Sequence, residues 1–193
     1  MNFDKQYKEE KCLRGLNPSP IVKSLLNYKK SGKVLDIGAG EGRNSIFLAK
    51  NGFDVTALDI SKEAGRKLKE LASKEDVKIN ILIEDIINFE FKEKYNIIIS
   101  IATLHFLRKK YINKVIERVK ENTKKGGLNA ISVFTEENPN ENFPYLFKTN
   151  ELKELYNGWE ILSYKEFITP LEKHDKAGKW HKHGIAVIIA KKN

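Results

Sequence analysis

The stretch VLDIGAGEGRN, residues 34–44, decides the fold of this chain. The run from Lys33 to Ile37 predicts a short buried strand, and three glycines at every second position follow it before a helix begins. Glycine between a strand and a helix lets a ligand approach the backbone closely, because no Cβ stands in the way. The helix start has unpaired N–H groups and partial positive charge, which suit a carboxylate or a phosphate. The stretch therefore predicts a small-molecule site at this turn.

A second apolar run, Val55 to Leu58, ends at Asp59, which lies 21 residues after Gly38. In a nucleotide-binding fold, a carboxylate at the end of the second strand accepts hydrogen bonds from the ribose hydroxyls. A glycine-rich turn alone is weak evidence, since glycine is common in tight turns. Together with Asp59 at this interval, it predicts a site for an adenosine-containing small molecule.

The spacing of the glycines distinguishes two kinds of cofactor. A dinucleotide fold has the pattern G-x-G-x-x-G, but here Arg43 takes the place of the third glycine and Gly42 comes one residue early. Asp36 also precedes the first glycine by two positions. The resulting pattern D-x-G-x-G-x-G resembles the first motif of class I S-adenosylmethionine-dependent methyltransferases. The resemblance implies S-adenosylmethionine as the cofactor, with NAD(P) as the weaker alternative.

The same resemblance implies a set of cofactor contacts. Asp36 and the glycine backbone would hold the methionine part of the cofactor, and Asp59 would take the ribose. Asp85, after the third predicted strand, would accept the adenine amino group, although an acid there could also cap a turn. His105 could contact cofactor or substrate, or could be a packed histidine. The expected cofactor-binding residues are Asp36, Gly38, Ala39, Gly40, Asp59, Ile60, Asp85, Ile86, Ser100 and His105.

The composition is typical of a globular protein without membrane segments. Of the 193 residues, 40% are hydrophobic and 32% are charged, and no run approaches the roughly 20 apolar residues of a membrane span. The charged beginning of the chain shows no signal peptide. Cys12 is the single cysteine, which favours a reducing cytosol. We therefore expect a cytoplasmic protein with no membrane partner.

The net charge of +9 raises the question of nucleic-acid binding. Only five of the 35 basic residues are arginine, although arginine is the better ligand for bases and phosphates. Lysines such as Lys62, Lys67 and Lys69 alternate with acids in a predicted helix, which is typical of a solvated surface. We therefore expect no nucleic-acid partner, whereas the basic charge suits an anionic small molecule.

Predicted strands and helices alternate from residue 33 onward. Strands are expected over 33–37, 54–58, 78–83, 96–101 and 128–134, and helices over 43–51, 62–74 and 109–122. Repeated βα units of this length imply a parallel sheet with helices on both faces. A helix over 149–156 and strands over 160–169 and 185–190 then indicate a hairpin. The expected fold is α/β: a Rossmann-like doubly wound, mostly parallel seven-stranded sheet with an antiparallel C-terminal hairpin.

The length of the chain predicts a single domain, residues 1–193, and the resemblance implies that this domain is of the class I methyltransferase type. Tyr7 and Arg14 are the residues through which the beginning of the chain would fold over the cofactor. The expected parts of the domain are an N-terminal helical lid segment (1–30), a cofactor-binding core (31–135), and a substrate-side helix with the C-terminal hairpin (136–193).

Further motifs cover most of the chain: FPYLFK at 143–148, EL at 151–152, YNGWE at 156–160, GRNS at 42–45, and FDK at 3–5 followed by Tyr7. Together they resemble the tellurite-resistance methyltransferase family, TehB. The resemblance implies methylation of tellurium and selenium oxyanions, or of thiols as for some relatives. The best-known members carry a His-Arg pair and a later arginine where this chain has Glu172, Lys173 and Gly184. The acceptor is therefore open.

Three aromatic residues, Phe143, Tyr145 and Phe147, stand beside Pro144 in this region. They could form the wall of a substrate pocket above the carboxyl end of the sheet. They could equally be core between the last helix and the sheet, and we expect core for at least two of them.

Three of the four histidines, His174, His181 and His183, lie within ten residues of one another, with lysines beside them. Strand alternation would place His181 and His183 on one face. The cluster could bind an oxyanion and handle its proton, could supply metal ligands, or could be an exposed polar loop. We assign no metal ligand, and expect His174, His181, His183 and Arg43 to bind the substrate.

The sequence therefore predicts a methyltransferase that uses S-adenosylmethionine to methylate a small-molecule acceptor, an anionic one if the TehB resemblance holds. The alternatives are an RNA or protein methyltransferase and a non-catalytic module that binds S-adenosylmethionine or a metal. An RNA or protein methyltransferase would need a contiguous basic groove and an open active site. The sequence does not determine the oligomeric state.

Overall fold

The computed structural model describes residues 3–9, 15–139, 142–171 and 182–193. Within them, seven strands form one sheet: β1 (Gly32–Ile37), β2 (Phe53–Asp59), β3 (Ile79–Ile83), β4 (Tyr95–Ile101), β5 (Thr123–Phe134), β6 (Glu160–Ile168) and β7 (Gly184–Lys191). The α-helices in this part are α1 (Phe3–Glu9), α2 (Pro20–Ser24), α3 (Arg43–Lys50), α4 (Lys62–Lys74), α5 (Lys109–Glu121) and α6 (Glu151–Glu154). Short 3-10 turns lie at Leu25–Asn27 and Leu104–Phe106.

The strand order is β3-β2-β1-β4-β5-β7-β6. The first five strands run parallel to one another, and β7 lies antiparallel between β5 and β6. The chain moves outward from β1 to β3 on one side, then returns to place β4 on the other side of β1. Such a reversal leaves a crevice at the carboxyl ends of β1 and β4, where open α/β sheets bind ligands. The predicted fold class, including the antiparallel hairpin, is confirmed.

The central strands β1, β4 and β5 are buried on both faces, because their successive residues alternate between two apolar clusters. Leu35 and Ile98 belong to the cluster on the α5 side, and their neighbours Val34 and Ile97 belong to the opposite one. Helix α5 brings four buried side chains at helical spacing into the first cluster: Ile112, Val115, Ile116 and Val119. A rigid central sheet therefore carries the loops that follow its strands.

Two of the predicted helix ends have the expected local chemistry. Ser61 is the N-cap of α4, where its Oγ accepts a hydrogen bond from the Ala64 backbone N–H at 3.1 Å. Gly52 follows the C-cap of α3 with a φ of +83°, the left-handed conformation that commonly ends a helix. The bounds of α4, Lys62 to Lys74, are those predicted.

Two elements differ from the prediction. Strand β5 begins at Thr123 and not at Leu128, because residues before Gly126-Gly127 still pair with Tyr95 across a register shift in β4. Helix α6 is shorter than the predicted span 149–156, because Asn150 adopts a φ of +63° and helix cannot continue through that conformation. Local apolar periodicity does not reveal either feature.

No helix in the described part of the chain is long and apolar enough to cross a membrane.

Candidate active site

A cavity of about 340 Å³ lies at the carboxyl ends of β1, β2 and β4. A cavity of this size is in the range that holds a small molecule or a cofactor. Its walls come from the ends of β1 and β2, the loop after β3, the segment after β4 and helix α1. The lining residues are Phe3, Tyr7, Ile37, Gly38, Leu58, Asp59, Ile60, Glu84, Asp85, Ile86, Ile87, Ala102, Thr103, Phe106, Leu107, Arg108 and Tyr111.

The glycine turn after β1 is tightly packed against the protein itself. Gly38 has a φ of +71°, and a Cβ built there would lie 2.2 Å from Thr103 Oγ1. A Cβ on Gly40 would lie 2.7 Å from Tyr7 Oη. Because these glycines lack a Cβ, Thr103 after β4 and Tyr7 of α1 can approach the turn closely. Of the two glycines, Gly38 lines the cavity.

Asp59, at the end of β2, presents a fixed carboxylate to the cavity. Its Oδ2 accepts a hydrogen bond from the Gly40 N–H at 2.7 Å, and its Oδ1 accepts one from the Ser61 N–H at 2.9 Å. Burial raises the pKa of Asp59, and the two backbone hydrogen bonds act against that rise. The next residue, Ile60, adds an exposed apolar side chain to the same wall. This arrangement suits a polyhydroxylated group such as a ribose.

Asp36 is buried below the turn and is not one of the cavity walls. Its Oδ2 accepts a hydrogen bond from the Ser45 hydroxyl at 2.7 Å, and burial raises its pKa to about 7. Arg43, at the start of α3, opposes that rise through its charge. Asp36, Ala39, Gly40 and Arg43 are thus not among the residues that line the cavity, and the contacts predicted for them stay predictions.

In the loop after β3, Asp85 caps a turn and also lies on the cavity wall, whereas its contact to adenine stays a prediction. Its Oδ1 accepts a hydrogen bond from the Ile87 N–H at 2.9 Å, which is the turn cap, and the residue also lines the cavity with Ile86. Arg118 of α5 donates to the carbonyl oxygens of Ile86 and Ile87 at 3.2 and 3.0 Å. Arg118, which the sequence did not single out, therefore holds this wall in place.

Ser100 and His105 are fully buried and do not line the cavity. Among the described residues, Ser100 Oγ has no hydrogen-bond partner. His105 accepts a hydrogen bond from the Phe134 N–H on its Nδ1 at 3.2 Å. Its neighbour Phe106 is the residue that faces the cavity. A cofactor contact for Ser100 or His105 remains a prediction.

His183 and His105 stack on the ring of Phe134 at centroid distances of 4.4 and 4.0 Å, both nearly parallel to it. Two rings so close to a third must lie on its opposite faces, because they would otherwise overlap. Asn138 Nδ2 lies 3.0 Å from His183 Nδ1, and the tautomer of the ring sets the donor and acceptor of this pair. The stacking on Phe134 thus brings His183 and His105 together around one aromatic ring.

The other two histidines of the predicted substrate cluster, His174 and His181, lie outside the described residues, as do Arg14, Glu172 and Lys173. No group of three or more metal-ligand side chains occurs within the ranges that are described. The geometry of the described part therefore neither assembles the cluster nor assigns it a role.

The three aromatic residues of the 143–148 motif separate into different environments. Phe147 is fully buried in the core. Phe143 packs edge-on against His105 and Phe134 at 5.0 and 4.9 Å. Tyr145 is half-buried against the core, and its hydroxyl donates to the Glu151 carboxylate. None of the three lines the cavity, and Phe143 and Tyr145 contact His105 in the segment after β4.

A family model described as "Tellurite resistance protein TehB" matches residues 4–189. The chain belongs to the TehB family. The predicted family resemblance is confirmed, and membership of the TehB family supports S-adenosylmethionine as the cofactor.

The chain is similar to TehB from Haemophilus influenzae both in sequence and in structure. The chain is 37% identical over 163 residues to a probable S-adenosyl-L-methionine-dependent methyltransferase TehB, covering 83% of this chain and 57% of that protein. The crystal structure of TehB from this organism superposes with a TM-score of 0.84 at 32% identity, covering 99% of this chain and 66% of that one. This chain thus spans little more than half the length of the curated TehB it matches.

The fold extends to methyltransferases outside the TehB family. Magnesium protoporphyrin IX methyltransferase from Synechocystis, solved with bound S-adenosylmethionine, superposes with a TM-score of 0.67 at 17% identity. This likeness covers 90% of this chain and 76% of the other, and at that identity it shows the fold alone.

One departure from the best-known TehB proteins has a structural cause here. Gly184 stands where the resemblance places an arginine, and its backbone O accepts a hydrogen bond from the Thr135 N–H at 2.9 Å. A Cβ built on Gly184 would lie 2.6 Å from the Glu137 carbonyl carbon and 2.7 Å from the Asn138 nitrogen. This TehB-family chain therefore has no room for a side chain at that place.

Helix α1 contributes two side chains to the cavity walls, and its role as a lid stays a prediction. Phe3 packs edge-on against Phe106 at 5.1 Å, and Tyr7 lines the cavity beside the glycine turn. Asp4 Oδ1 accepts hydrogen bonds from the Ser61 hydroxyl at 2.6 Å and from the Glu63 N–H at 3.1 Å. Asp4 thereby fastens α1 to the first turn of α4.

Several cavity residues were not among the individually expected site residues, and most of them follow β4, in or beside the segment 100–107 that resembles the cofactor-lining segment of class I methyltransferases. Ala102 adopts a φ of +55°, which is uncommon for a residue with a Cβ and is found mostly at functional sites. Their position after a buried strand was the available signal, since ligands bind beyond the carboxyl ends of strands. The cavity residues of this segment that were not named individually are Ala102, Thr103, Phe106, Leu107, Arg108 and Tyr111, of which Arg108 and Tyr111 lie beyond the predicted segment.

Proposed function

We propose that this TehB-family chain transfers a methyl group from S-adenosylmethionine to a small-molecule acceptor, a tellurium or selenium oxyanion or a thiol. The observation that carries the proposal is the carboxylate of Asp59 on the cavity wall. It is fixed there by the N–H groups of Gly40 and Ser61, one from the glycine turn and one from the next helix cap. The two motifs predicted to share one ligand thus meet at one place.

The walls of the cavity fit the parts of such a cofactor. Asp59 would accept hydrogen bonds from the ribose hydroxyls, and Asp85 would accept one from the adenine amino group. Ile60 and Ile86 offer apolar surface for the adenine ring. The backbone of the turn from Gly38 to Gly40 would hold the methionine part.

When bound, S-adenosylmethionine supplies an electrophilic methyl group on a sulfonium centre. A lone pair of the acceptor forms the new bond to the methyl carbon, and the electrons of the broken carbon–sulfur bond stay on sulfur. The protein need only align the acceptor and exclude water, so no covalent intermediate with a side chain is required. Phe3, Phe106 and Leu107 supply apolar surface for that purpose.

The acceptor contacts belong to this proposal as well. His183 would bind an oxyanion through its imidazole ring. We assign the same role to His174 and His181, and a supporting positive charge to Arg43. A lid over the cavity favours a small acceptor over a macromolecular one.

We also propose a single domain in the cytosol. Seven strands between Gly32 and Lys191 join one continuous sheet, so the predicted core and the predicted substrate-side region share one framework. The single cysteine suits a reducing compartment.

Calorimetric titration with S-adenosylhomocysteine, with NADH as the control ligand, tests the cofactor. Binding of the first ligand alone is expected. Methyl transfer from radiolabelled S-adenosylmethionine is then measured with tellurite, selenite and a thiol, and volatile and soluble products are counted separately. Absence of binding to S-adenosylhomocysteine, or binding of NADH in its place, would contradict the proposal.

A further inference from the structure

Arg108 lines the cavity and is positively charged, whereas the other charged residues on the cavity walls are acidic. Three acidic residues line the same cavity: Asp59, Glu84 and Asp85. Within the described ranges, Arg108 is the one cationic side chain on these walls. The cavity that would hold the cofactor therefore also presents a single guanidinium, which is a donor suited to planar or tetrahedral oxyanions.

The basic residues that follow Arg108 are engaged elsewhere. Lys109 Nζ forms an ion pair with Glu151 and donates to Tyr145 Oη at 2.7 Å. Lys110 Nζ lies over the Tyr111 ring, 4.9 Å from its centroid. Of this basic triplet, Arg108 alone faces the cavity.

Other arginines in the described part also have protein partners. Arg66 pairs with Glu63 and Glu70, and Arg118 donates to backbone carbonyl oxygens in the loop after β3. The Arg108 guanidinium has no hydrogen bond or ion pair with another described residue, and only the backbone O of Arg108 accepts a bond, from the Tyr111 N–H at 2.9 Å. A guanidinium at a cavity wall without an acidic partner is available to a ligand anion.

The local backbone adds to the positive potential at this place. Arg108 is the N-cap residue of α5, a helix of 13 residues, and its side chain makes no capping hydrogen bond. The helix dipole therefore acts in the same direction as the guanidinium. The side chain and the cavity carry the inference, and the dipole only reinforces it.

We infer that Arg108 binds the anionic group of the methyl acceptor and thereby selects oxyanions and carboxylate-bearing thiols over neutral nucleophiles. The inference rests on the proposed function and names a specificity-determining residue for it. Asp59 and Asp85 serve the neutral hydroxyl and amino groups of the cofactor, whereas Arg108 serves the negative charge of the second substrate. No proton transfer is asked of Arg108, since its guanidinium stays protonated.

The test uses four proteins: the wild type, Arg108→Gln, Arg108→Lys and the control Lys114→Gln. Lys114 is an exposed residue of the same helix that does not line the cavity. Each protein is saturated with S-adenosylhomocysteine, which has no methyl group to transfer, and is titrated calorimetrically with selenite and with 3-mercaptopropionate at neutral pH and low salt.

Arg108→Gln is expected to weaken binding of the anion about tenfold or more, because a charge-assisted hydrogen bond is lost. Arg108→Lys should fall between this variant and the wild type, since it keeps the charge and loses the two-pronged geometry. Lys114→Gln should bind like the wild type, and S-adenosylhomocysteine should bind equally to all four proteins. Added salt should weaken anion binding in the wild type more than in Arg108→Gln.

Three results would overturn the inference: equal anion affinity in Arg108→Gln and the wild type, binding of neither anion to the wild type, or loss of S-adenosylhomocysteine affinity in Arg108→Gln. The last would assign Arg108 to the cofactor. If the wild type does not bind S-adenosylhomocysteine, the proposed function fails by itself. The same anion titrations on the ligand-free proteins then still decide whether Arg108 binds anions.

Discussion

At the scale of single residues, Asp59 joins the glycine turn to the cavity. Substitution of Asp59 by alanine removes the acceptor of the Gly40 and Ser61 N–H groups as well as the expected ribose contact. We expect affinity for S-adenosylhomocysteine to fall at least about a hundredfold, since the carboxylate loses two charge-assisted hydrogen bonds from the ribose hydroxyls, at about 1.5–3 kcal/mol each. Asp59→Asn should lose less affinity than Asp59→Ala, because its amide oxygen can still accept a hydrogen bond from the ribose.

Isothermal titration of these variants with S-adenosylhomocysteine checks the prediction. The matched control is Asp54→Ala, an exposed acid in the same strand. Unchanged affinity in Asp59→Ala would remove the ribose assignment, whereas an equal loss in the control would indicate a general effect on β2.

Asp36 gives a second prediction, for the dependence of stability on pH. Burial raises its pKa from the model-compound value of 3.8 to about 7 in the folded protein. Between these two values the folded state holds a proton that the unfolded state releases, so rising pH favours unfolding. The contribution of Asp36 to stability should therefore fall as pH rises from about 4 to about 7 and stay constant above that range.

Urea unfolding at several pH values, on the wild type and on Asp36→Asn, measures this effect. The asparagine keeps an oxygen that can accept from the Ser45 hydroxyl and cannot ionise. Relative to this variant, the wild type should lose free energy of unfolding across the stated window. Parallel pH profiles for the two proteins would show that Asp36 does not titrate as its burial implies.

At the scale of elements, one side chain holds helix α1 to α4, and we predict that α1 acts as a lid. Asp4 holds α1 to α4 through the Ser61 hydroxyl and the Glu63 N–H. Asp4→Ala should open the lid and speed the dissociation of S-adenosylhomocysteine several-fold to about tenfold, since hydrogen bonds to a charged group contribute about 1.5–3 kcal/mol. Global stability should change little, because α1 is a short peripheral helix.

Stopped-flow displacement of bound S-adenosylhomocysteine gives the dissociation rate, and thermal unfolding gives the stability. Lys69→Ala, at an exposed position of α4, serves as the control. A dissociation rate in Asp4→Ala equal to that of the wild type would mean that α1 does not retain the ligand.

Elements were predictable wherever local pattern alone determines them. Helix α4 has the predicted bounds because Ser61 caps it and its apolar residues recur at helical spacing. Strand β5 and helix α6 were misjudged, because the register shift opposite Tyr95 and the left-handed Asn150 depend on packing with distant residues. Sequence reasoning sees neighbours along the chain, and these two features are set by neighbours in space.

The same limit applies to the candidate site. Asp59 and Asp85 were predicted because each stands at or just after the end of a strand, at the edge where such sheets bind ligands, and both line the cavity. Ser100 and His105 also come at or after a strand end, but their side chains turn into the core while Phe106 faces the cavity. The chain position of a loop is readable from the sequence, but the direction of each side chain in an irregular segment is not.

At the scale of the whole molecule, stability and ligand binding are carried by different buried polar groups. Tyr156 is fully buried, and its hydroxyl donates to Asn129 Oδ1 at 3.1 Å. Asn129 Nδ2 in turn donates to Thr123 Oγ1 at 2.8 Å, and this hydroxyl donates to the Val119 carbonyl oxygen. The chain of hydrogen bonds links the segment after α6 to β5 and α5, away from the cavity walls.

Tyr156→Phe should lower the free energy of unfolding by about 1–3 kcal/mol, because it leaves the buried Asn129 oxygen without its donor. Affinity for S-adenosylhomocysteine should stay within about twofold of the wild type, because Tyr156 does not line the cavity among the described residues. Denaturant titration and calorimetry on the same sample separate the two effects. A loss of affinity as large as the loss of stability would contradict this separation.

The order of strands in the sheet has a consequence for biosynthesis. Strand β6 precedes β7 along the chain, yet it joins the sheet only through β7, which pairs with β5 on its other side. On a translating ribosome, β6 thus has no place to dock until β7 has emerged, and the long β5 keeps an open edge during that interval. Unpaired edges invite pairing with other chains. Nascent chains stalled between the two strands should therefore be the species that most need a chaperone.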